Sequence, residues 1–260
     1  MSVWWHGLKA WLGGAPAPIP QALWASTLAH YPFLTERSAA ELEHLRELSA
    51  RFLQRKQFTG AQGLQITDEM ALAIAAQACL PILHLGLDWY DDFRGIVVHP
   101  QAMLAPREVQ DEAGVVHRYQ EELSGEAMPG GPVTLSWRDV QDTSPEDGYN
   151  VVIHEFAHKL DMRDGVADGC PPLPTRALTR RWPTVMQAAF DDFTEALSLA
   201  ERFGGPQPWL DPYAATAPAE FFAVACEAYF VNRSRLQADF AALSELFDDF
   251  FLGREQVGKD

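Results

Sequence analysis

The sequence predicts an α+β fold with a small mixed or antiparallel sheet and helical N- and C-terminal parts. Three observations predict it: apolar residues at helical spacing in the first third, short β-branched segments between residues 93 and 137, and long helical patterns after residue 147. Strands and helices do not alternate along the chain as they would in a parallel βαβ sheet. With 260 residues, of which 47% are hydrophobic and 22% charged, the chain is long enough to bury a core.

The first residues predict an arm followed by a linker. The segment GGAPAPIPQ at 13–21 is rich in proline and glycine, which favour extended chain over helix. We therefore divide the protein into an arm and linker, residues 1–20, and one folded domain, residues 21–260. The arm has no basic region before its apolar residues, and His6 and Lys9 interrupt them, so the pattern does not predict an export signal. No run of about 18 apolar residues predicts a membrane span.

Two helices are predicted in the first third of the domain. Ser38 and Glu41 have the spacing of a capping box, and apolar residues follow at helical intervals at Leu42, Leu45, Leu48 and Phe52. The second helix is predicted from Thr67, which can cap a helix N-terminus, to the residue before Pro81.

The middle of the chain predicts the strands. FRGIVVHP at 93–100 and GPVTLSW at 131–137 are short, β-branched and bounded by turn residues. The intervening AGVVHRYQEELSGEAMPGG has the glycine and proline signals of a hairpin. These segments together predict the sheet.

Helical regions are predicted again towards the C-terminus. One runs from about Asp147 to Arg163, with a glycine shortly after it as the stop. A long helix covers about 182–202 and ends at GGPQP. The last region starts near Thr216 and Pro218, and helices rich in aromatic and acidic residues follow it.

Charge and cysteine content exclude some classes of function. The formal net charge of −16 disfavours direct binding to nucleic acid, which requires a basic surface, and suits cationic partners such as peptide amino termini. The protein has three widely spaced cysteines, Cys79, Cys170 and Cys226, and no CxxC motif. This pattern is typical of a reducing cytoplasm and argues against a disulfide framework.

The segment GYNVVIHEFAHKLDMRDG at 148–165 carries a His-Glu-x-x-His motif. On a helix, His154 and His158 lie on one face and can bind the same metal ion, for which zinc is the usual choice. Glu155 lies beside them, where a carboxylate can act as general base towards a water at the metal. Two ordinary buried histidines are the alternative, but the apolar flanks favour a metal, which would satisfy the buried polar groups directly. A structural zinc is disfavoured because such sites usually complete their ligands with cysteine or histidine.

A zinc of this kind needs a third protein ligand. The metzincin pattern would place glycine at 161 and histidine at 164, where this chain has Asp161 and Asp164. Glu220, at the start of the apolar helical segment APAEFFAVACEAYF, is the candidate, because a buried carboxylate without a cation is costly. The alternative for Glu220 is a first-turn carboxylate stabilised by the helix dipole.

Two further residues have possible roles at this site. Glu227, seven residues after Glu220 and almost on the same helix face, could orient a ligating histidine. Tyr213, in the preceding loop DPYAATAPAE, could donate a hydrogen bond to an oxyanion formed when water attacks a carbonyl. Packing of an aromatic ring at a helix start explains Tyr213 equally well.

Together these segments resemble the Mlc titration factor A family of zinc metallopeptidases. GYNVVIHEFAHKLDMRDG and DPYAATAPAEFFAV resemble its two signature blocks, and DWYDDFRGIVVHP and SGEAMPGGPVTLSWRDVQD resemble its central region. The resemblance covers nearly the whole chain. It implies one zinc ion per chain with His154, His158 and Glu220 as ligands, Glu155 as catalytic base and Tyr213 as an active-site hydroxyl.

The resemblance also implies a fold and a function. Residues 21–260 are expected to form one zincin-like catalytic domain, similar to the catalytic domain of anthrax lethal factor, with aminopeptidase-type activity on peptides and a transcriptional repressor of the Mlc type as a partner. The thermolysin-type pattern would place an acid at 224, where this chain has Val224, so the group that orients the histidines must come from elsewhere, and Glu227 and Asp161 are candidates. We further interpret GPVTLSW as an edge strand that pairs with extended substrate.

Two other functions fit the same residues. The protein could be a regulator that sequesters a transcription factor without catalysis, or a zinc hydrolase that acts on other amides or on esters. Substitution of Glu155 by glutamine separates the first from a peptidase, and a peptide cleavage profile separates the second.

Overall fold

The computed structural model describes residues 16–110, 116–142 and 146–253. Most of the predicted arm therefore lies outside the described residues. Residues 16–20 have no regular structure, and Ile19 is buried against the core. This part of the linker is therefore packed on the folded domain.

The first helices have the boundaries that their caps dictate. Helix α1 is Gln21–His30, α2 is Ala39–Arg55 and α3 is Asp68–Cys79. The predicted capping box of α2 is confirmed: the Glu41 N–H donates to Ser38 Oγ at 3.3 Å, and the Ser38 N–H donates to Glu41 Oε2 at 2.9 Å. Every residue of α3 from its third position onwards is buried, so this helix crosses the core.

A four-stranded mixed sheet supports the site. Its strands are β1 (Gln57–Gly60), β2 (Gly95–His99), β5 (Gly125–Ala127) and β6 (Val133–Ser136), in the order β1-β2-β6-β5. The β1–β2 and β2–β6 pairs are parallel, and β5–β6 is antiparallel. The predicted strands β2 and β6 are confirmed. Strand β1 was not predicted, because its four residues include one buried apolar side chain and so give no alternating pattern.

The prediction that GPVTLSW forms the edge of the sheet is wrong. Strand β6 pairs with β2 on one side and with β5 on the other, so β5 is the edge. A separate antiparallel pair of strands, β3 (Met103–Gln110) and β4 (Val116–Leu123), precedes β5. The predicted turn region at 113–131 forms β4, β5 and the turn from β5 to β6, and its first residues, 113–115, lie outside the described residues. Sequence order alone could not show that the chain returns from this pair of strands to add β5 outside β6.

Helix α5, Val151–Asp161, carries the His-Glu-x-x-His motif. It follows a short helix α4, Trp137–Gln141. Helix α5 begins later than the predicted Asp147, because the Asn150 side chain caps it by accepting the Ile153 N–H at 2.9 Å. A short 3₁₀ turn follows it and ends at Gly165, whose φ of 98° favours glycine.

The C-terminal helices pack the third predicted ligand against α5. They are α6 (Arg176–Phe203), α7 (Pro218–Val231), α8 (Arg233–Asp239) and α9 (Ala241–Phe251). Helix α6 begins six residues before the predicted start, because Thr175 caps it and Pro183 lies inside it. The rings of Trp182, Phe222 and Phe247 join α6, α7 and α9, with centroids 5.8–5.9 Å apart. Within the residues described, no helix has the length and apolar character needed to cross a bilayer.

Candidate metal centre

The predicted metal ligands come from two packed helices. His154 and His158 lie one turn apart on α5, and Glu220 lies in the first turn of α7. All but two of the residues of α7 are buried, and Glu220 is one of the exceptions, with its side chain 21% exposed. The two histidine side chains are each 13% exposed. The three side chains therefore line a cleft instead of lying deep in the core.

The ligand atoms of these residues converge on one point. The Glu220 Oε2 lies 3.1 Å from His154 Nε2 and 3.2 Å from His158 Nε2, and the two Nε2 atoms are 3.2 Å apart. Ligands about 2.0–2.1 Å from a tetrahedral zinc would be about 3.3 Å from one another. The triangle thus has the size of one face of a zinc coordination tetrahedron. Among the described residues, this is the group of histidine and acidic side chains that could hold a metal.

Glu227 fixes the orientation of His154. Its Oε1 lies 2.7 Å from His154 Nδ1, and its other oxygen accepts the N–H of Asn150, the residue that caps α5. A carboxylate accepts a hydrogen bond from Nδ1, so Nε2 is the nitrogen of His154 that is available to a metal. Without a metal, a proton on Nε2 lies between His154 and Glu220. A cation at the centre of the triangle would replace that proton, and two imidazole nitrogens with one carboxylate oxygen form a donor set that fits zinc.

The electrostatics of the site are set by burial and by these contacts. Burial acts to lower the pKa of His154, but the hydrogen bonds to Glu220 and Glu227 outweigh it and raise the pKa well above its usual value. Burial likewise acts to raise the pKa of Glu220, and the two histidines overcome it and lower the pKa to about 2. Glu220 is therefore ionised at neutral pH, as a metal ligand must be.

Glu155 is buried beside the triangle, with 4% of its surface exposed. Its Oε2 has no hydrogen-bond partner within the described residues. Burial, together with the nearby Glu220 and Glu227 carboxylates and against the attraction of His154, raises its pKa to about 8. A buried carboxylate oxygen without a partner is costly unless a water or substrate donates to it.

Gly125, the first residue of β5, packs closely against the Glu155 side chain. A Cβ at Gly125 would lie 2.4 Å from Glu155 Oε1, so only glycine leaves room for the carboxylate. Gly125 is not among the site residues that the sequence predicts. A glycine inside a strand pattern, which often marks close approach of another group, was the available signal.

Tyr213 lies at the mouth of the same cleft. Its ring centroid is 6.2 Å from that of His154, and its residue is 43% exposed. A short 3₁₀ helix, Pro212–Ala215, holds it, and the side chain of Asp211 caps that helix by accepting the Tyr213 N–H at 2.9 Å. The predicted hydroxyl donor is thus close to the predicted ligands.

Two cavities meet at His154 and Glu155. One, of about 260 Å³, extends past Ser124, Tyr149 and Asp211. The other, of about 200 Å³, is lined by the residues of β5 together with His158 and Glu220. The cleft therefore continues on both sides of the Glu155 carboxylate.

Asp161 has a different environment from Glu227. It is fully buried, and its carboxylate accepts the N–H groups of Gly169 at 2.9 Å and Cys170 at 2.8 Å. Burial raises the pKa of Asp161 to about 6. Gly169 in turn packs against the Pro218 carbonyl, which a Cβ would approach to 2.6 Å. Of the two predicted alternatives, Glu227 contacts a histidine of the triangle, whereas Asp161 holds the loop at Gly169 and Cys170, which packs against the first residue of α7.

The fold and the site together define a class of protein. A His-Glu-x-x-His helix beside a small mixed sheet, with a glutamate supplied by a later helix, is the arrangement of zincin-like metallopeptidases.

Comparison with known proteins identifies the family. Residues 9–252 match the family described as glucose-regulated metallo-peptidase M90. The chain is 37% identical over 240 residues to Mlc titration factor A of Klebsiella pneumoniae subsp. pneumoniae, which covers 92% of this chain and 87% of that protein. It is 37% identical over 230 residues to Mlc titration factor A of Salmonella arizonae, covering 88% and 90%. The chain belongs to the M90 metallopeptidase family, and the predicted resemblance is confirmed.

Proposed function

We propose that the protein is a zinc-dependent peptidase in which His154, His158 and Glu220 hold one zinc ion. The observation that carries the proposal is the convergence of their three ligand atoms beside the unpartnered Oε2 of Glu155. A metal site without a function in hydrolysis would not need a buried base next to it.

The residues of the cleft have complementary roles in this proposal. When bound, zinc lowers the pKa of a water and polarises the peptide carbonyl. The charge of a bound cation would lower the pKa of Glu155 from about 8, and the ionised carboxylate accepts the proton of the attacking water and then donates it to the leaving amine. Tyr213 donates a hydrogen bond to the oxyanion that develops on the carbonyl oxygen. Glu227 keeps the proton of His154 on Nδ1, so that Nε2 remains free to bind metal.

The edge strand β5 offers a binding site for the substrate backbone. The Ser136 N–H donates to Ser124 O, and the Met128 N–H donates to Pro132 O, which sets the antiparallel register. Alternate residues of an edge strand point their N–H and C=O groups away from the sheet, and here these are Gly125 and Ala127. Both residues line the same cavity as Glu220. An extended peptide that pairs with β5 therefore lies across Glu155.

Substitution of Ala127 by proline tests this binding mode. Proline is tolerated at an edge-strand position whose N–H faces outward, so the fold should persist while one hydrogen bond to the substrate is lost. We expect KM for a hexapeptide to rise about tenfold, equivalent to about 1.4 kcal/mol for that bond. Ala127→Gly, which keeps the N–H, is the control. An unchanged KM in Ala127→Pro would exclude pairing with β5.

We also propose that the activity is of the aminopeptidase type and that the protein works in the cytoplasm. Asp211 and Glu126 line the two cavities, and the net charge is −16, so a cationic amino terminus is attracted to the cleft. The free cysteines Cys79, Cys170 and Cys226 fit a reducing compartment. Hydrolysis of aminoacyl chromogenic substrates, compared with the same substrates carrying an acetylated amino group, tests the exopeptidase part.

The proposal as a whole is tested with Glu155→Gln. This variant should keep its zinc, measured by metal analysis, because Glu155 is not one of the three ligands. Its kcat should fall by about 10²–10⁴-fold, because a glutamine cannot accept the proton. Zinc-loaded wild-type protein that cleaves no member of a peptide library, or a Glu155→Gln variant as active as the wild type, would overturn the proposal.

One observation favours a second function. The relatives at 37% identity carry the name Mlc titration factor A, which describes binding of a repressor. We propose that this chain can also bind a transcriptional repressor of the Mlc type. Capture of such a repressor by both wild type and Glu155→Gln would show that binding is independent of catalysis; capture without any hydrolysis would leave a non-catalytic regulator. Preference for ester or non-peptide amide substrates would identify a different zinc hydrolase.

A further inference from the structure

A buried lysine follows directly after the second histidine of the motif. The Lys159 side chain is fully buried, although lysine is among the residues least often found inside proteins. It lies four residues after Glu155 and therefore on the same face of α5, directed towards the sheet. Neither metal binding nor proton transfer in the proposed function uses it.

The ammonium group of Lys159 holds the turn that joins β5 to β6. Its Nζ donates to Met128 O at 2.8 Å and to Gly131 O at 3.2 Å. Nζ also forms an ion pair with Asp92, whose Oδ2 is 3.5 Å away, and lies 4.4 Å from the centroid of the Phe93 ring. Two carbonyls and one carboxylate thus compensate the buried charge.

Strand β5 is therefore fastened to α5 at both ends. At its start, Gly125 packs against the Glu155 side chain. Just beyond its end, Met128 accepts the hydrogen bond from Lys159. β5 has three residues and is paired only with β6 within the described sheet. Because so short an edge strand has few hydrogen bonds of its own, these two contacts help to fix its position relative to α5. Loss of either contact leaves a short edge strand that can shift.

We propose that Lys159 is a positioning residue that holds β5 at a fixed distance from Glu155 and thereby aligns extended peptides for cleavage. The inference rests on the proposed peptidase function. It predicts a dependence on substrate length, because a long peptide must pair with β5 whereas a single aminoacyl group need not reach along it. Lys159 acts through the carbonyls of Met128 and Gly131 and does not touch the substrate.

The experiment compares Lys159→Met with Lys56→Met. Lys56 is a matched control, because it is also buried and its Nζ lies 3.6 Å from the centroid of the same Phe93 ring. Its Nζ donates to Tyr90 O and, at 2.6 Å, to Phe93 O, two carbonyls that lie outside the β5–β6 turn. Both substitutions keep the apolar stem and remove a buried charge. A purely structural role would therefore affect both variants alike.

Two readouts are needed. In Lys159→Met we expect KM for a hexapeptide to rise about tenfold, with kcat/KM for an aminoacyl chromogenic substrate changed less than about threefold, because misplacement of a binding strand affects only substrates that use it. Hydrogen–deuterium exchange at residues 125–131 should accelerate in Lys159→Met and not in Lys56→Met. Lys159→Gln, which keeps an amide donor, replaces Lys159→Met if that variant does not fold.

The outcomes separate this inference from the proposed function. Equal losses on both substrates, or the same pattern in Lys56→Met, would overturn the positioning role while leaving peptidase activity intact. If the zinc-loaded wild type cleaves neither substrate, the proposed function fails and substrate alignment fails with it. Unchanged exchange at residues 125–131 in Lys159→Met would refute the anchoring of β5 whatever the activity.

Discussion

Substitution of Gly125 by alanine tests the packing of β5 against the predicted base. The added Cβ would lie 2.4 Å from Glu155 Oε1 and 2.6 Å from Glu155 Cγ. Carbon atoms and their neighbours normally stay at least about 3.4 Å apart, so the Glu155 side chain must move by about 1 Å. A displacement of about 1 Å in a catalytic group lowers the rate by about 100-fold. We therefore expect kcat to fall by about that factor in Gly125→Ala.

The assay measures kcat, zinc content and thermal stability together. Zinc content should stay at wild-type level, because the clash involves the base and none of the three ligands. The loss of stability should be about 1–3 kcal/mol, the usual cost of an extra methyl group in a packed site. Gly95→Ala is the control, since its Cβ would meet the Pro132 side chain at 3.1 Å in the same sheet, away from the metal centre. A Gly125→Ala variant with wild-type kcat would refute the placement of Glu155.

Three further predictions concern the metal and its surroundings. Free zinc at about 1,000 times its Kd should raise the free energy of unfolding by roughly 4 kcal/mol relative to protein treated with a chelator, which corresponds to about 8–16 °C in Tm. A Tm that the chelator does not change would contradict the metal site. Glu227→Gln should weaken zinc affinity about 10–100-fold, measured by competition with a chromogenic chelator, and full affinity would exclude its role in orienting His154. Tyr213→Phe should lower kcat about 10²–10³-fold with little change in KM; equal kcat would identify a packing role.

The parts of the site encoded in local spacing could be predicted from the sequence. His154, Glu155 and His158 lie within one helical turn, so the periodicity of an α-helix alone brings them together. The capping box at Ser38 was predictable for the same reason, because both of its partners lie within three residues. Glu220 required a further argument, the cost of burying a carboxylate.

The parts that depend on tertiary packing could not be predicted in this way. Both Glu227 and Asp161 have a spacing that allows contact with the motif, and only the packing of α5 on α7 shows that Glu227 reaches His154. Strand order is similarly non-local, so the sequence pattern predicts β6 as the edge strand, a position that β5 occupies. The role of Gly125 depends on an atom of Glu155 that is distant in sequence.

The separation of the ligands along the chain has a consequence for metal uptake. Glu220 meets His154 across 66 positions of sequence and His158 across 62. An unfolded chain therefore offers zinc a pair of neighbouring imidazoles, while the carboxylate arrives only when α7 docks on α5. Coordination of an ion by all three side chains is therefore possible only after α7 has docked on α5. Unfolding should accordingly release a bound zinc ion, because separation of α7 from α5 removes the carboxylate from the two imidazoles.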